Sequence, residues 1–80
     1  MKQSYPSRET IEADRRRYPT GTRVELVRMN DPYTKLRPGD RGNVICIDDA
    51  GGIHIRWDSG SSLAAIIGED IIRKVEEEAP

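Results

Sequence analysis

After residue 20 hydrophobic and polar residues alternate with a period of two in short stretches, at 23–26 and 53–57, which is typical of half-buried β-strands, and residues 42–47 form a β-branched apolar run. Val24 and Leu26, for example, alternate with Arg23 and Glu25. Clusters of glycine, aspartate, serine and proline interrupt the pattern and mark turns. The sequence therefore predicts a strand that begins near Gly21 and four further short strands over residues 42–47, 53–57, 62–66 and 71–75.

The connections between these strands indicate how the strands are arranged. Residues 30–40 are dense in turn-forming residues and too many for a tight hairpin, so they predict an excursion loop. The turns at 48–52 and 58–61 are tight, and 67–70 is a short turn of 3₁₀ type. This order predicts an all-β fold: a small five-stranded Src-homology-like (SH3-like) barrel with a short N-terminal helix, in which near-closure removes free strand edges.

The apolar positions of the strands predict the core. Ile53, Ile55 and Trp57 share one face of their strand, which favours the core for the tryptophan rather than a ligand-facing position. Cys46 is interpreted as a small buried residue. The predicted core comprises Val24, Leu26, Val44, Cys46, Ile53, Ile55, Trp57, Leu63, Ile66 and Ile71.

Residues 1–20 have a different pattern, which predicts a helical extension. Ser7 is a suitable N-cap, acidic residues come early and three arginines come late, and Tyr18-Pro19 ends the helix. A helix this short is not stable alone, so it docks on the barrel, orders on a partner or frays. The predicted organisation is a helical extension at 1–20, the barrel at 21–75 and an acidic tail at 76–80.

Composition and charge narrow the class of protein. The chain has 80 residues, of which 35% are hydrophobic, so we expect one small domain with a thin core. It shows no apolar run of membrane-spanning length, no signal-peptide pattern and one cysteine, which together predict a cytoplasmic protein without membrane contact. The net charge of −1 conceals a basic first part, because residues 1–42 hold ten Lys and Arg against six Asp and Glu.

Several segments resemble a known family. They are the run 18–27 (YPTGTRVELV), Asp31-Pro32-Tyr33 followed by 38–42 (PGDRG), 48–51, 53–63 and 67–70. They resemble the domain of unknown function 4314, a family of small bacterial and phage proteins, over roughly residues 18–72, with residues 1–17 outside the match. The resemblance implies a small barrel and a setting in phages or mobile elements, and it carries no established activity.

Two groups of residues are candidates for partner binding. Tyr33 lies in the long loop, where it is either an exposed recognition aromatic or, as we favour, a ring folded back to plug one mouth of the barrel, with Pro32 fixing the turn. Arginines and lysines of the first half could share one basic surface, although a charge run is more often a solvated face. The candidate binding residues are Tyr18, Tyr33, Arg15, Arg16, Arg17, Lys35, Arg37 and Arg41.

The sequence does not favour catalysis or metal binding. His54, Asp58 and the nearby serines supply the residue types of a hydrolytic triad, but they lie on one hairpin without a nucleophile elbow. One histidine and one cysteine cannot form a four-ligand zinc site, and Asp48 with Asp49 lack the ligand array that calcium needs. We therefore expect a protein that is not an enzyme, with no catalytic residues, no metal and no cofactor.

The function predicted from these observations is that of a small non-enzymatic binding module. A protein partner is the first expectation, in an accessory or inhibitor protein of a phage or mobile element. The alternative is a small barrel that binds nucleic acid through Arg15, Arg16, Arg17, Arg37 and Arg41. The protein is expected to be a monomer or a weak homo-oligomer.

Overall fold

The computed structural model describes residues 6–31 and 33–76, which form one helix and five strands. The helix α1 spans Arg8–Arg17. The strands are β1 (Arg23–Arg28), β2 (Arg41–Ile47), β3 (Gly52–Trp57), β4 (Ala65–Ile66) and β5 (Ile71–Lys74). Most of the predicted acidic tail, 77–80, and the predicted turn residue Pro32 lie outside the described residues. Within the described part, no helix is long and apolar enough to cross a membrane.

The five strands form one antiparallel sheet in the order β4-β3-β2-β1-β5. Consecutive strands pair from β1 to β4, and the chain then returns so that β5 pairs with the outer side of β1. The prediction of a mostly β fold with five antiparallel strands and one short helix is therefore confirmed. Among the described residues β4 and β5 are not paired with each other, so the sheet keeps two edges.

Helix α1 docks on the sheet and is part of the domain. Ser7 Oγ accepts a hydrogen bond from the Thr10 backbone N–H at 3.1 Å, as its predicted role of N-cap requires. Ile11 and Tyr18 are buried in the common core. The sequence left three alternatives for this helix: docking on the strands, ordering on a partner, or fraying. The structure shows docking, which supplies the tertiary contact that a helix this short needs to be stable.

The predicted burial of Cys46 is wrong, and the reason is a bulge in β2. The register between β2 and β3 shifts between Val44 and Cys46. A bulge adds one residue to a strand, so the side chains that follow it change face. Val44 and Ile47 are buried as a result, and Cys46 is exposed.

The predicted burial of Leu63, Ile66 and Ile71 is also wrong. Strand β4 has two residues, and of these only Ala65 faces the core. A strand of that length leaves the flanking aliphatic side chains without an opposing layer. Leu63 and Ile66 are each 38% exposed, and Ile71 is 45% exposed. The observed core is Ile11, Tyr18, Val24, Leu26, Leu36, Val44, Ile47, Ile53, Ile55, Trp57 and Ala65.

Trp57 is the largest fully buried side chain, as predicted. Its indole Nε1 donates a hydrogen bond to the Leu63 carbonyl at 2.8 Å. A buried indole N–H needs such an acceptor, because leaving it unpaired is costly. The bond also holds the segment between β3 and β4 in place, and this segment forms one wall of the site described next.

Candidate functional site

The described residues form an open groove of about 510 Å³. It lies between the loop that follows β1 and the segment that runs from Leu63 through the turn before β5. We call it the groove, and its lining residues are Met29, Asn30, Asp31, Tyr33, Leu63, Ala64, Ile66, Glu69 and Asp70.

Asp70 joins the two walls of the groove. Its Oδ1 accepts the Asn30 backbone N–H and its Oδ2 accepts the Ile66 backbone N–H, each at 2.8 Å. One carboxylate therefore fixes the loop after β1 against the short strand β4. The turn that carries Asp70 includes Gly68, whose φ of 92° favours glycine. These contacts preform the groove.

Tyr33 stands at the rim of the groove with 91% of its surface exposed. The favoured prediction, in which its ring plugs a mouth of the barrel, is therefore wrong. The Tyr33 backbone N–H donates to Asp31 Oδ1 at 2.9 Å, which is the local turn that aspartate commonly forms. With the half-exposed Leu63 and Ile66, Tyr33 makes an apolar lining that the core does not cover.

Three carboxylates accompany this apolar lining. Among the described residues, Asp31, Glu69 and Asp70 have no Lys, Arg or His partner within 4 Å. Arg17 and Asp70 line a neighbouring shallow depression without forming an ion pair. The groove thus combines exposed apolar side chains with negative charge that the described residues leave uncompensated.

A second acidic group lies at the turn between β2 and β3, and its carboxylates do have partners. We call Arg15, Asp48, Asp49 and His54 the hairpin cluster. Asp48 Oδ1 accepts backbone N–H groups of Gly52 (2.8 Å) and Ala50 (3.0 Å), and Asp48 Oδ2 lies 2.8 Å from His54 Nε2. The hydrogen bonds from Gly52 and His54 lower the pKa of Asp48 below its ordinary value.

Arg15 links helix α1 to this turn. Its Nε and Nη2 donate to the Ile47 carbonyl at 3.1 and 2.9 Å, and Nη2 also reaches Asp49 Oδ1 at 2.8 Å. The guanidinium fork therefore satisfies a backbone acceptor and a carboxylate at once. Arg15 was predicted to bind a partner, whereas the structure shows it in an internal contact.

The other predicted binding residues are spread over the molecule. Arg41 pairs with Glu25 at 3.1 Å, and Arg17 stacks over Tyr18 with 5.4 Å from guanidinium carbon to ring centroid. Tyr18 itself is 6% exposed, so its predicted partner contact is corrected to a core position. Arg16, Lys35 and Arg37 are exposed, and no ion pair to them occurs within the described ranges. Of all the predicted binding residues, only Tyr33 lines the groove.

Charge pairs on β1 use further basic side chains. Arg23 forms a two-pronged pair with Asp58, and the Nη1 to Oδ1 distance is 2.8 Å. Burial raises the pKa of Glu25, but hydrogen bonds and charge from Arg41 and Arg73 outweigh it and lower the pKa overall. Arg23 likewise lowers the pKa of Asp58.

The residue types of a hydrolytic triad do not assemble. His54 contacts Asp48, while Asp58 is occupied by Arg23. No group of three or more His, Cys, Asp or Glu in the described part of the chain could hold a metal ion.

Sequence reasoning missed most of the groove. The strand pattern over 62–66 predicts core positions for Leu63 and Ile66, and the segments 30–40 and 67–70 predict turns that contain Asp31, Glu69 and Asp70. The available signal was the position of carboxylates immediately beside aliphatic residues, as in Ile66-Ile67-Gly68-Glu69-Asp70.

The comparisons with known proteins give a family but no function. A family model described as "Domain of unknown function (DUF4314)" matches residues 7–75, and the chain belongs to this family. The match begins before α1, so the predicted resemblance over 18–72 is extended to include the helix. Searches of curated proteins and of solved structures each gave no match.

Proposed function

We propose that this protein is a small non-enzymatic binding module whose groove receives a segment of a protein partner. The observation that carries the proposal is Tyr33, a tyrosine 91% exposed at the rim of an apolar groove. Tyrosine is among the residues most enriched where binding energy concentrates in protein interfaces, because its ring buries a large area and its hydroxyl keeps a polar contact.

The preformed walls of the groove support the same function. Asp70 and the Trp57 indole tie both sides of the groove to the sheet through hydrogen bonds of 2.8 Å. A site that is ordered before binding loses less conformational entropy on association, so a given contact area yields more affinity. Exposed Leu63 and Ile66 add apolar surface that only a partner can bury.

The strand arrangement supports an SH3-like barrel as the finer description of the fold. The sheet order β4-β3-β2-β1-β5, the long loop between β1 and β2, and the short turn before β5 are the features expected of that topology. On this proposal the groove lies beside the long loop, where barrels of this type bind peptides. A role as an accessory or inhibitor protein of a phage or mobile element rests on the family resemblance alone.

Nucleic-acid binding has weaker support. Phosphate contacts need unpaired cationic side chains on one face. Of the five arginines in the alternative prediction, Arg15 and Arg41 are engaged with Asp49 and Glu25 and Arg17 stacks over Tyr18, so within the described ranges only Arg16 and Arg37 have neither contact. The apolar lining and the negative charge of the groove disfavour a polyanion at that surface.

A capture experiment with matched variants tests the proposal. Tagged wild-type protein and the Tyr33→Ala variant are incubated with bacterial lysate, with and without nuclease, and Ser59→Ala serves as an exposed-turn control. We expect a protein that survives nuclease treatment with the wild type and the control and is lost with Tyr33→Ala. Equal capture by Tyr33→Ala, or recovery of nucleic acid alone, contradicts the proposal.

A further inference from the structure

We infer that the groove takes a peptide segment that carries lysine or arginine next to an apolar side chain. This inference rests on the proposed function and specifies the partner's chemistry. The apolar part follows from Tyr33, Leu63 and Ile66, which are exposed together at one site. The cationic part follows from the charge of the same surface.

Elsewhere in the described part of the chain, several carboxylates have an internal cation. Glu25 binds Arg41 and Arg73, Asp58 binds Arg23, and Asp49 binds Arg15. At the groove Asp31, Glu69 and Asp70 have no such partner within 4 Å among the described residues. Like charges at one surface repel each other, and a cationic ligand relieves that repulsion.

One of the three carboxylates, that of Asp70, also has a structural role in the groove. Its two oxygens accept two backbone N–H groups, so the structure of the groove requires a hydrogen-bond acceptor at this position. A carboxylate that accepts two backbone N–H groups is held in one orientation. Remaining lone pairs on the same oxygens stay available to a guanidinium or ammonium group.

The composition of the groove favours a peptide over a free metal ion. A metal ion would leave Tyr33, Leu63 and Ile66 exposed to water, and no set of three metal-ligating side chains occurs in the described ranges. A second copy of this chain would also bring exposed cations, such as Arg16, Lys35 and Arg37, so self-association is one of the outcomes tested below. A partner peptide supplies both the cation and the apolar side chain.

The experiment uses a random decapeptide library displayed on phage and selected against the full chain. Peptides that lose binding to Tyr33→Ala are synthesised, and their affinities are measured by fluorescence anisotropy. The receptors are the wild type, the double variant Asp31→Asn/Glu69→Gln, and Glu9→Gln as a control that removes an exposed carboxylate from α1. Asp70 is left intact because it holds the groove together.

We expect the selected peptides to contain lysine or arginine beside an apolar residue. The double variant weakens their binding about three- to tenfold, the range for two exposed ion pairs, and higher salt weakens wild-type binding in the same direction. Replacing the peptide's cation with glutamine has a comparable effect on the wild type and a smaller one on the double variant. Glu9→Gln leaves the affinity unchanged.

The outcomes separate this inference from the proposed function. Tyr33-dependent peptides without a cation, or affinities that the double variant does not change, overturn the inference and leave the binding groove intact. Self-association that disappears in Tyr33→Ala, measured by sedimentation, identifies a second copy as the occupant and also overturns the inference. Failure to obtain any Tyr33-dependent peptide from the library contradicts the proposed function itself.

Discussion

The hairpin cluster and the groove both hold several acidic side chains, but they differ in how those side chains are compensated. At the hairpin cluster Asp48 accepts two backbone N–H groups and contacts His54, and Asp49 pairs with Arg15. At the groove, among the described residues, Asp31 and Asp70 accept only backbone N–H groups. In the hairpin cluster each carboxylate contacts a basic or imidazole side chain, and Arg15 joins α1 to the sheet, whereas the groove carboxylates have no such side-chain partner among the described residues.

The same contrast holds for the apolar side chains. Beneath the hairpin cluster Ile11, Tyr18 and Ile47 are buried under α1. Around the groove Tyr33, Leu63 and Ile66 remain exposed, and of the two residues of β4 only Ala65 faces the core. The apolar side chains of the first region therefore stabilise the fold by burial, whereas those of the groove contribute little to stability and leave apolar surface in contact with water.

The largest expected difference between the two regions lies in their tyrosines. Tyr18→Ala removes a buried ring and should lower the free energy of unfolding by about 3 kcal/mol, the cost of truncating a core aromatic. Tyr33→Ala should change it by less than about 0.5 kcal/mol, since the ring is exposed. Urea unfolding followed by tryptophan fluorescence measures both. Similar losses for the two variants contradict the contrast.

The next effect concerns the contact between α1 and the turn after β2. Arg15→Ala removes two donors to the Ile47 carbonyl and the pair with Asp49. Because this side chain is partly exposed, the expected loss is about 1 kcal/mol. Hydrogen exchange should also rise in α1. Arg16→Ala, an exposed neighbour on the same helix, is the control and should stay within about 0.5 kcal/mol.

Helix capping, charge placement and strand alternation, which act between residues close in sequence, predicted most of the helix and strand positions. Ser7, the early glutamate and the late arginines placed α1 within its observed bounds, the period of two predicted β1 and β3, and the β-branched apolar run predicted β2. The core positions Val24, Leu26, Ile53, Ile55 and Trp57 followed from the same alternation.

What the sequence did not predict depends on long-range geometry. The bulge in β2 exchanges the faces of Cys46 and Ile47, and nothing in the run Val44-Ile45-Cys46-Ile47 distinguishes the two. Likewise, the groove exists because Asp70 meets Asn30 across 40 positions of sequence. The sequence predicted Arg15 and Arg41 on a basic surface because their ion-pair partners, Asp49 and Glu25, lie 34 and 16 positions away along the chain.

Acid should weaken the hairpin cluster in a predictable direction. The pKa of Asp48 in the folded state is lowered by hydrogen bonds from Gly52 and His54, while in the unfolded chain it is near 4. The stabilisation from this carboxylate is therefore fully present above about pH 5. It is lost as the pH falls through about 4 towards the folded-state pKa. Glu25 and Asp58 act in the same direction.

Thermal unfolding between pH 7 and pH 2 measures this effect. The wild type should lose stability steeply below about pH 4, and Asp48→Asn should start less stable at neutral pH and decline less steeply. Glu9→Gln, which removes an exposed helix carboxylate, serves as the control. A wild-type stability that stays flat from pH 5 to pH 2, or parallel curves for Asp48→Asn and the wild type, contradicts this account.

The smallest expected effect is the removal of charge from the groove. Asp31→Asn/Glu69→Gln should change the free energy of unfolding by no more than about 0.5 kcal/mol, and towards greater stability, because these carboxylates have no cation within 4 Å among the described residues. The asparagine introduced at position 31 keeps a side-chain oxygen that can accept the Tyr33 N–H, so the local turn is kept. Urea unfolding measures this change in the free energy of unfolding. The increase should be largest at low salt, because high salt already screens the repulsion between the groove carboxylates. A loss of about 1 kcal/mol or more shows that the two carboxylates stabilise the fold, and it removes the reason for assigning their charge to a ligand.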